Sequence, residues 1–116
     1  MQYLLMIHSD EKAMSQATQE QGAAVLGAYG AYTSAMKEAG VYVGGQRLHP
    51  SPTGTVVRVK DGKTSVLNGP YAEVKEQLGG YYLIDVPDLD AAIAVAKKLP
   101  IFKDGAVEIR PLLGGA

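Results

Sequence analysis

The chain has 116 residues, a hydrophobic fraction of 47%, a charged fraction of 20% and a formal net charge of −1. A chain of that length forms one domain, 1–116, with a core large enough to fold without covalent staples. Its eleven basic and twelve acidic residues are interspersed, which leaves no cationic stripe for a phosphate backbone, and zero cysteines exclude disulfides, thiolate metal sites and thiol nucleophiles.

Met1-Gln2-Tyr3-Leu4-Leu5-Met6-Ile7 carries no cationic leader and only a short apolar run, so residues 2–8 read as a buried first strand rather than a signal peptide. No apolar stretch approaches the ~20 residues of a membrane span. A cytoplasmic protein with no membrane contact and no direct nucleic-acid contact is expected. A helix follows over 15–39, with Ser15 as N-cap and Gly40 as the C-terminal glycine. Val25, Tyr29, Tyr32 and Met36 make its apolar stripe. Gly22, Gly27 and Gly30 each weaken that helix by about 1 kcal/mol relative to alanine, so close approach to a neighbouring element is expected there.

Val41-Tyr42-Val43-Gly44-Gly45 is a second strand, broken at its glycines, and a loop runs through Pro50 and Pro52. Residues 55–60 and 63–67 form a hairpin around Asp61-Gly62, a pair suited to a two-residue turn. Residues 80–86 are another strand. Asp88 caps a helix over 89–99, with Asp90 in its first turn, Lys97 and Lys98 in its last, and Pro100 as its stop. Residues 107–110 are the last strand, and the Gly114-Gly115-Ala116 tail is expected to fray.

Leaving out the hairpin, the order is β-α-β-β-α-β, the ferredoxin-like α+β unit, with both helices on one face of an antiparallel sheet. The strands are apolar on both sides. Leu4 and Met6 alternate with Tyr3, Leu5 and Ile7, while Leu83 opposes Tyr82, Ile84 and Val86. Something must cover the second face, and a second copy packed sheet to sheet is the economical solution, which predicts a homodimer.

The segment Asn68–Ile84 is densest in special-purpose residues. Asn68-Gly69 suits a turn, and Pro70 suits the first position of a helical turn. On such a turn Glu73 and Glu76 share an edge and Lys75 points away. Gly79-Gly80 permits close backbone approach. This is either a pocket wall in which Glu76 or Lys75 meets a polar ligand, or a solvated connector. His8, at a strand end, could transfer protons or be structural. His49, in a proline-flanked loop, reads as incidental, and two separated histidines make no metal site. Tyr29 and Tyr32 read as core, although a phenol on that stripe could line a cavity. Glu108 with Arg110, and Tyr81 with Asp85, pair on strand faces as cavity groups or as charges at a dimer rim.

Asn68-Gly69-Pro70-Tyr71 followed by Ala72-Glu73-Val74-Lys75-Glu76-Gln77-Leu78-Gly79-Gly80 resembles the YCII-related family, in the branch marked by an Asp-Gly-Pro-Phe (DGPF) motif. Tyr3–Ile7, Ala39-Gly40-Val41, Gly44-Gly45, Tyr82–Val86 and Val107–Pro111 are similar to further family signposts, so the likeness spans the chain. The resemblance implies a ferredoxin-like subunit in a dimeric α/β barrel. Many members of that branch are encoded beside extracytoplasmic-function sigma factors. The wider family includes a lyase that removes chloride from a chlorinated muconolactone and is thought to use a His–Asp pair. Tyr29 stands at the helix position matching that histidine, and Asn68 replaces the motif's aspartate, so that pair is not carried over. What the resemblance implies is a cofactor-independent lyase or isomerase acting on a small molecule by proton transfer. His8 or Glu76 would move the proton, Tyr29, Tyr71 and Tyr81 would shape the pocket, and Lys75 would attract an anion. The alternative is a non-catalytic ligand-binding or accessory module associated with such a sigma factor.

Overall fold

The computed structural model describes residues 1–114, so Gly115 and Ala116 of the expected frayed tail lie outside the described residues. In chain order the elements are β1 (Gln2–Asp10), α1 (Glu11–Ser15), α2 (Gln19–Glu38), β2 (Tyr42–Arg47), a 3-10 turn (Ser51–Thr53), β3 (Thr55–Lys60), β4 (Lys63–Asn68), β5 (Glu76–Asp85), α3 (Leu89–Ala96) and β6 (Gly105–Pro111). Four strands form one antiparallel sheet in the order β2-β5-β1-β6, and β3-β4 is a separate two-stranded hairpin. This is the ferredoxin-like α+β arrangement with the hairpin inserted between its second and third core strands.

The alternation along β1 and β5 sets the layers. Tyr3 pairs with Ile84 and Leu5 with Tyr82, so these side chains share one sheet face. Together with Ile7 and Val86 they meet Met36, Ala92 and Leu99 from the helical side, and Leu5 and Ile84 are fully buried. Burying each such aliphatic side chain contributes about 1.5–3 kcal/mol. The opposite face carries Leu4 beside Leu83 and Met6 beside Tyr81, all only partly covered. The molecule is 18 Å thick along its shortest axis, room for one sheet and one helical layer.

Several boundaries differ from those expected. The helix expected over 15–39 runs over Gln19–Glu38, and a separate short helix, Glu11–Ser15, precedes it. Asp10 caps α1 by accepting from the Ala13 N–H at 3.1 Å, and Thr18 caps α2 through a reciprocal box with Gln21. Ser15 instead donates its hydroxyl to the Lys12 carbonyl. At the far end of α2 the Val41 N–H reaches Met36 O and the Gly40 N–H reaches Lys37 O, closing the helix as a Schellman motif. The close approach expected at Gly22, Gly27 and Gly30 is absent, since a Cβ at any of them would meet nothing within 4 Å.

No helical turn forms after Pro70. Residues 69–75 are irregular, and Glu76 already belongs to β5, so the shared helical edge expected for Glu73 and Glu76 does not exist. Strand pairing explains the change: Glu76, Gln77 and Leu78 extend the ladder against Asp10, Ser9 and His8 across a bulge at Ile7/His8. The Asp61-Gly62 turn forms as expected, with φ of 52° and 75°. Asp88 caps α3 by accepting from the Ala91 N–H at 2.9 Å, although the helix ends at Ala96 rather than residue 99. No helix among the described residues is long and apolar enough to cross a membrane.

Candidate functional site

Two hollows flank the end of the sheet where β1, β2 and β5 meet the Leu48–Pro50 loop. The first is a cleft of about 450 Å³ between the N-terminal half of α2 and the helix-side sheet face. Met14, Val25, Leu26 and Phe102 form much of its wall, and Gly45 and Gly80 line its sheet side. Both glycines mark close approaches. A Cβ on Gly45 would stand 2.6 Å from Cδ1 of Tyr82, and one on Gly80 would stand 2.9 Å from the Gln46 carbonyl oxygen. Arg47 pairs directly with Gly80, so no side chain stands opposite it on that face.

The polar groups of the cleft differ in how far they are satisfied. Thr33 donates its hydroxyl to the Tyr29 carbonyl at 2.9 Å, and its oxygen lies 2.7 Å from the Tyr82 hydroxyl. Glu11 accepts from both the N–H and the hydroxyl of Ser51, at 2.7 Å and 2.6 Å, which pins the Leu48–Pro50 loop to the start of α1. The Tyr29 hydroxyl makes no hydrogen bond among the described residues. Burial raises the Tyr29 pKa, with Tyr82 adding to the rise and Arg47 opposing it, so this phenol keeps its proton and acts as a donor. Tyr32 is different: its hydroxyl donates to the Val95 carbonyl at 2.7 Å, joining α2 to α3, and burial raises its pKa further.

The second hollow, about 530 Å³ and more open, lies between the Leu48–Gly54 and Pro70–Leu78 segments. His8, Tyr71 and Glu76 line it, and His49, Pro50 and Gln77 line both hollows. Among the residues singled out from sequence, Tyr29 and Tyr81 therefore border the cleft, while His8, Glu76 and Tyr71 gather at the second hollow. Strand alternation sends the Tyr81 ring to the sheet face opposite Tyr82, so it is the backbone of Tyr81 that meets the cleft. Lys75 lines neither hollow. Its ammonium stands 3.8 Å from Asp10 and 3.7 Å from Asp104. Asn68 closes β4 opposite Thr55, is exposed, and lines neither hollow. Glu108 and Arg110 pair with each other on β6. Among the described residues no three histidine, aspartate or glutamate side chains gather so as to hold a metal ion.

Sequence reasoning passed over Arg47, Glu11 and Ser51, and took His49 as incidental. The one available signal was the position of Arg47, two residues after Gly45, which puts both on the same face of a strand.

The fold and cleft define a class: a small ferredoxin-like α+β domain with a largely apolar hollow between its long helix and its sheet. The chain belongs to the YCII-related family, whose model, described as a YCII-related domain, matches residues 1–114. It is also similar to an uncharacterized protein of Rhizobium meliloti (strain 1021), 36% identical over 114 residues that cover 97% of this chain and 92% of that protein.

Proposed function

We propose that this YCII-related chain, of the Asp-Gly-Pro-Phe branch, is a cofactor-independent lyase or isomerase that handles a small molecule by proton transfer, with its ligand in the cleft beneath α2. The observation that carries this reading is the makeup of the cleft: a mainly apolar hollow of about 450 Å³ into which a few polar side chains converge. His49 is the proton-transfer candidate for it, because it lines both hollows whereas His8 and Glu76 line only the second. Tyr29 supplies a hydrogen bond to the ligand.

A homodimer is part of the same proposal. The sheet face bearing Leu4, Met6, Tyr81 and Leu83 is only partly covered in the single chain, and a second copy would bury it. Light scattering at micromolar concentration tests this, and a monomeric mass would refute it.

Function is tested in two stages. Thermal-shift screening of small-molecule mixtures identifies ligands that raise the melting temperature. Each hit is then followed by NMR in deuterated water. A proton-transfer enzyme exchanges an acidic C–H of its ligand with solvent, and His49→Gln abolishes the exchange while leaving binding. Binding without any protein-dependent exchange would instead favour the accessory module.

A further inference from the structure

We propose that the ligand of the cleft is a carboxylate on a flat apolar body, with its anion bound by Arg47 and Tyr29; this rests on the cleft being the ligand site. Arg47 and Tyr29 line the same cavity, one from the end of β2 and the other from α2. The ion pairs of the described residues join Met1 to Asp85, Lys75 to Asp10 and Asp104, and Arg110 to Glu108, so Arg47 is in none of them. Glu11 is the only acidic side chain in the described lining, and Ser51 already engages both of its oxygens. The cleft thus holds a carboxylate whose two oxygens are already hydrogen-bonded and a guanidinium that is in no ion pair. Its phenol has a proton to give and no acceptor. A guanidinium fork and a phenol O–H together match the two oxygens of a carboxylate.

The remainder of the wall argues for the body of the ligand. Ile7, Met14, Val25, Leu26 and Phe102 present hydrocarbon, and the glycines at 45 and 80 add no side chain of their own to the sheet side, where the Tyr82 ring lies against Gly45. A planar ring system can lie against such a floor, whereas a sugar or a multiply charged phosphate would leave its hydroxyls or extra charge unpaired there.

The experiment uses 2-naphthoate and its neutral isostere 2-naphthamide, with binding measured by calorimetry at neutral pH on the wild type, Arg47→Gln and Tyr29→Phe. The wild type is expected to bind the acid at least tenfold more tightly than the amide. Arg47→Gln should remove that preference while still binding the amide, and Tyr29→Phe should weaken the acid several-fold. Equal affinity for acid and amide in the wild type, or undiminished acid binding by Arg47→Gln, overturns the carboxylate and leaves the cleft as a ligand site. Binding of neither probe by the wild type overturns the cleft and the carboxylate together. The melting temperature of each unliganded variant verifies its fold.

Discussion

The hydroxyl oxygens of Thr33 and Tyr82 lie 2.7 Å apart, joining the C-terminal half of α2 to the central strand β5 in the wall of the cleft. Thr33 commits its single hydrogen to the Tyr29 carbonyl, which makes Tyr82 the donor of the pair. Tyr82 is also the hub of the neighbouring aromatics, with ring centroids 5.6 Å from Tyr32 and 6.2 Å from Tyr42.

Thr33→Val keeps the shape of the side chain and removes the acceptor, stranding the Tyr82 hydroxyl. We expect a loss of about 1–2 kcal/mol in urea denaturation. Tyr82→Phe removes the donor instead, and the double variant leaves neither group unpaired. A double-mutant cycle should therefore show coupling of about 1 kcal/mol, and strict additivity would mean that the contact contributes nothing.

Alkaline pH should destabilise the fold more steeply than an average tyrosine content implies. Tyr29 and Tyr32 both have raised pKa values in the folded state, so the unfolded chain loses these protons first as pH rises. Fewer protons bound in the unfolded state give stability a negative slope with pH, beginning near the ordinary phenol pKa of about 10. The contribution is whole below that pH and is lost above it. Tyr32→Phe should flatten the slope, and tyrosinate absorbance should show two phenols resisting titration until the protein unfolds.

Glu11 is the fastening of the Leu48–Pro50 loop, the wall common to both hollows. Glu11→Ala should cost about 1–3 kcal/mol, because two hydrogen bonds to a charged acceptor are lost. Hydrogen exchange gives the local readout: the Ser51 N–H should exchange faster in the variant, while β1 amides such as Leu5 stay protected. Unchanged exchange at Ser51 would show that the loop is held by other contacts.

Gly27 and Gly30 lie on the exposed side of α2 with open space where a Cβ would go. Alanine at each should stabilise the chain by about 0.5–1 kcal/mol through lower helix-forming cost. Gly45→Ala should do the reverse, since its methyl would press on the Tyr82 ring. A destabilised Gly27→Ala or Gly30→Ala would show that helix-forming cost does not govern these positions.

Much of the fold is legible residue by residue. Tyr3, Leu5 and Ile7 announce a strand face through a period of two, and Asp88 announces a helix start through a side chain of the right reach. The Thr18–Gln21 capping box is equally legible and sets the N-cap of the long helix three residues after Ser15. Glu76 was not legible. Its neighbours Glu73 and Lys75 have helix-compatible spacing, and only pairing with Asp10 across the β1 bulge draws it into a strand.

Sequence by itself determined the topology, the hairpin, the two apolar faces of the sheet and the family, because each rests on local periodicity, turn chemistry or a contiguous motif. Tertiary structure decided where a ligand can go. The cleft exists because strand register sets Gly80 opposite Arg47 and holds α2 above them. Register also sends Tyr81 to one face and Tyr82 to the other, and separates His8 and Glu76 from Tyr29. Those outcomes depend on which distant backbones pair, and a shift of one residue in any ladder would have reversed them.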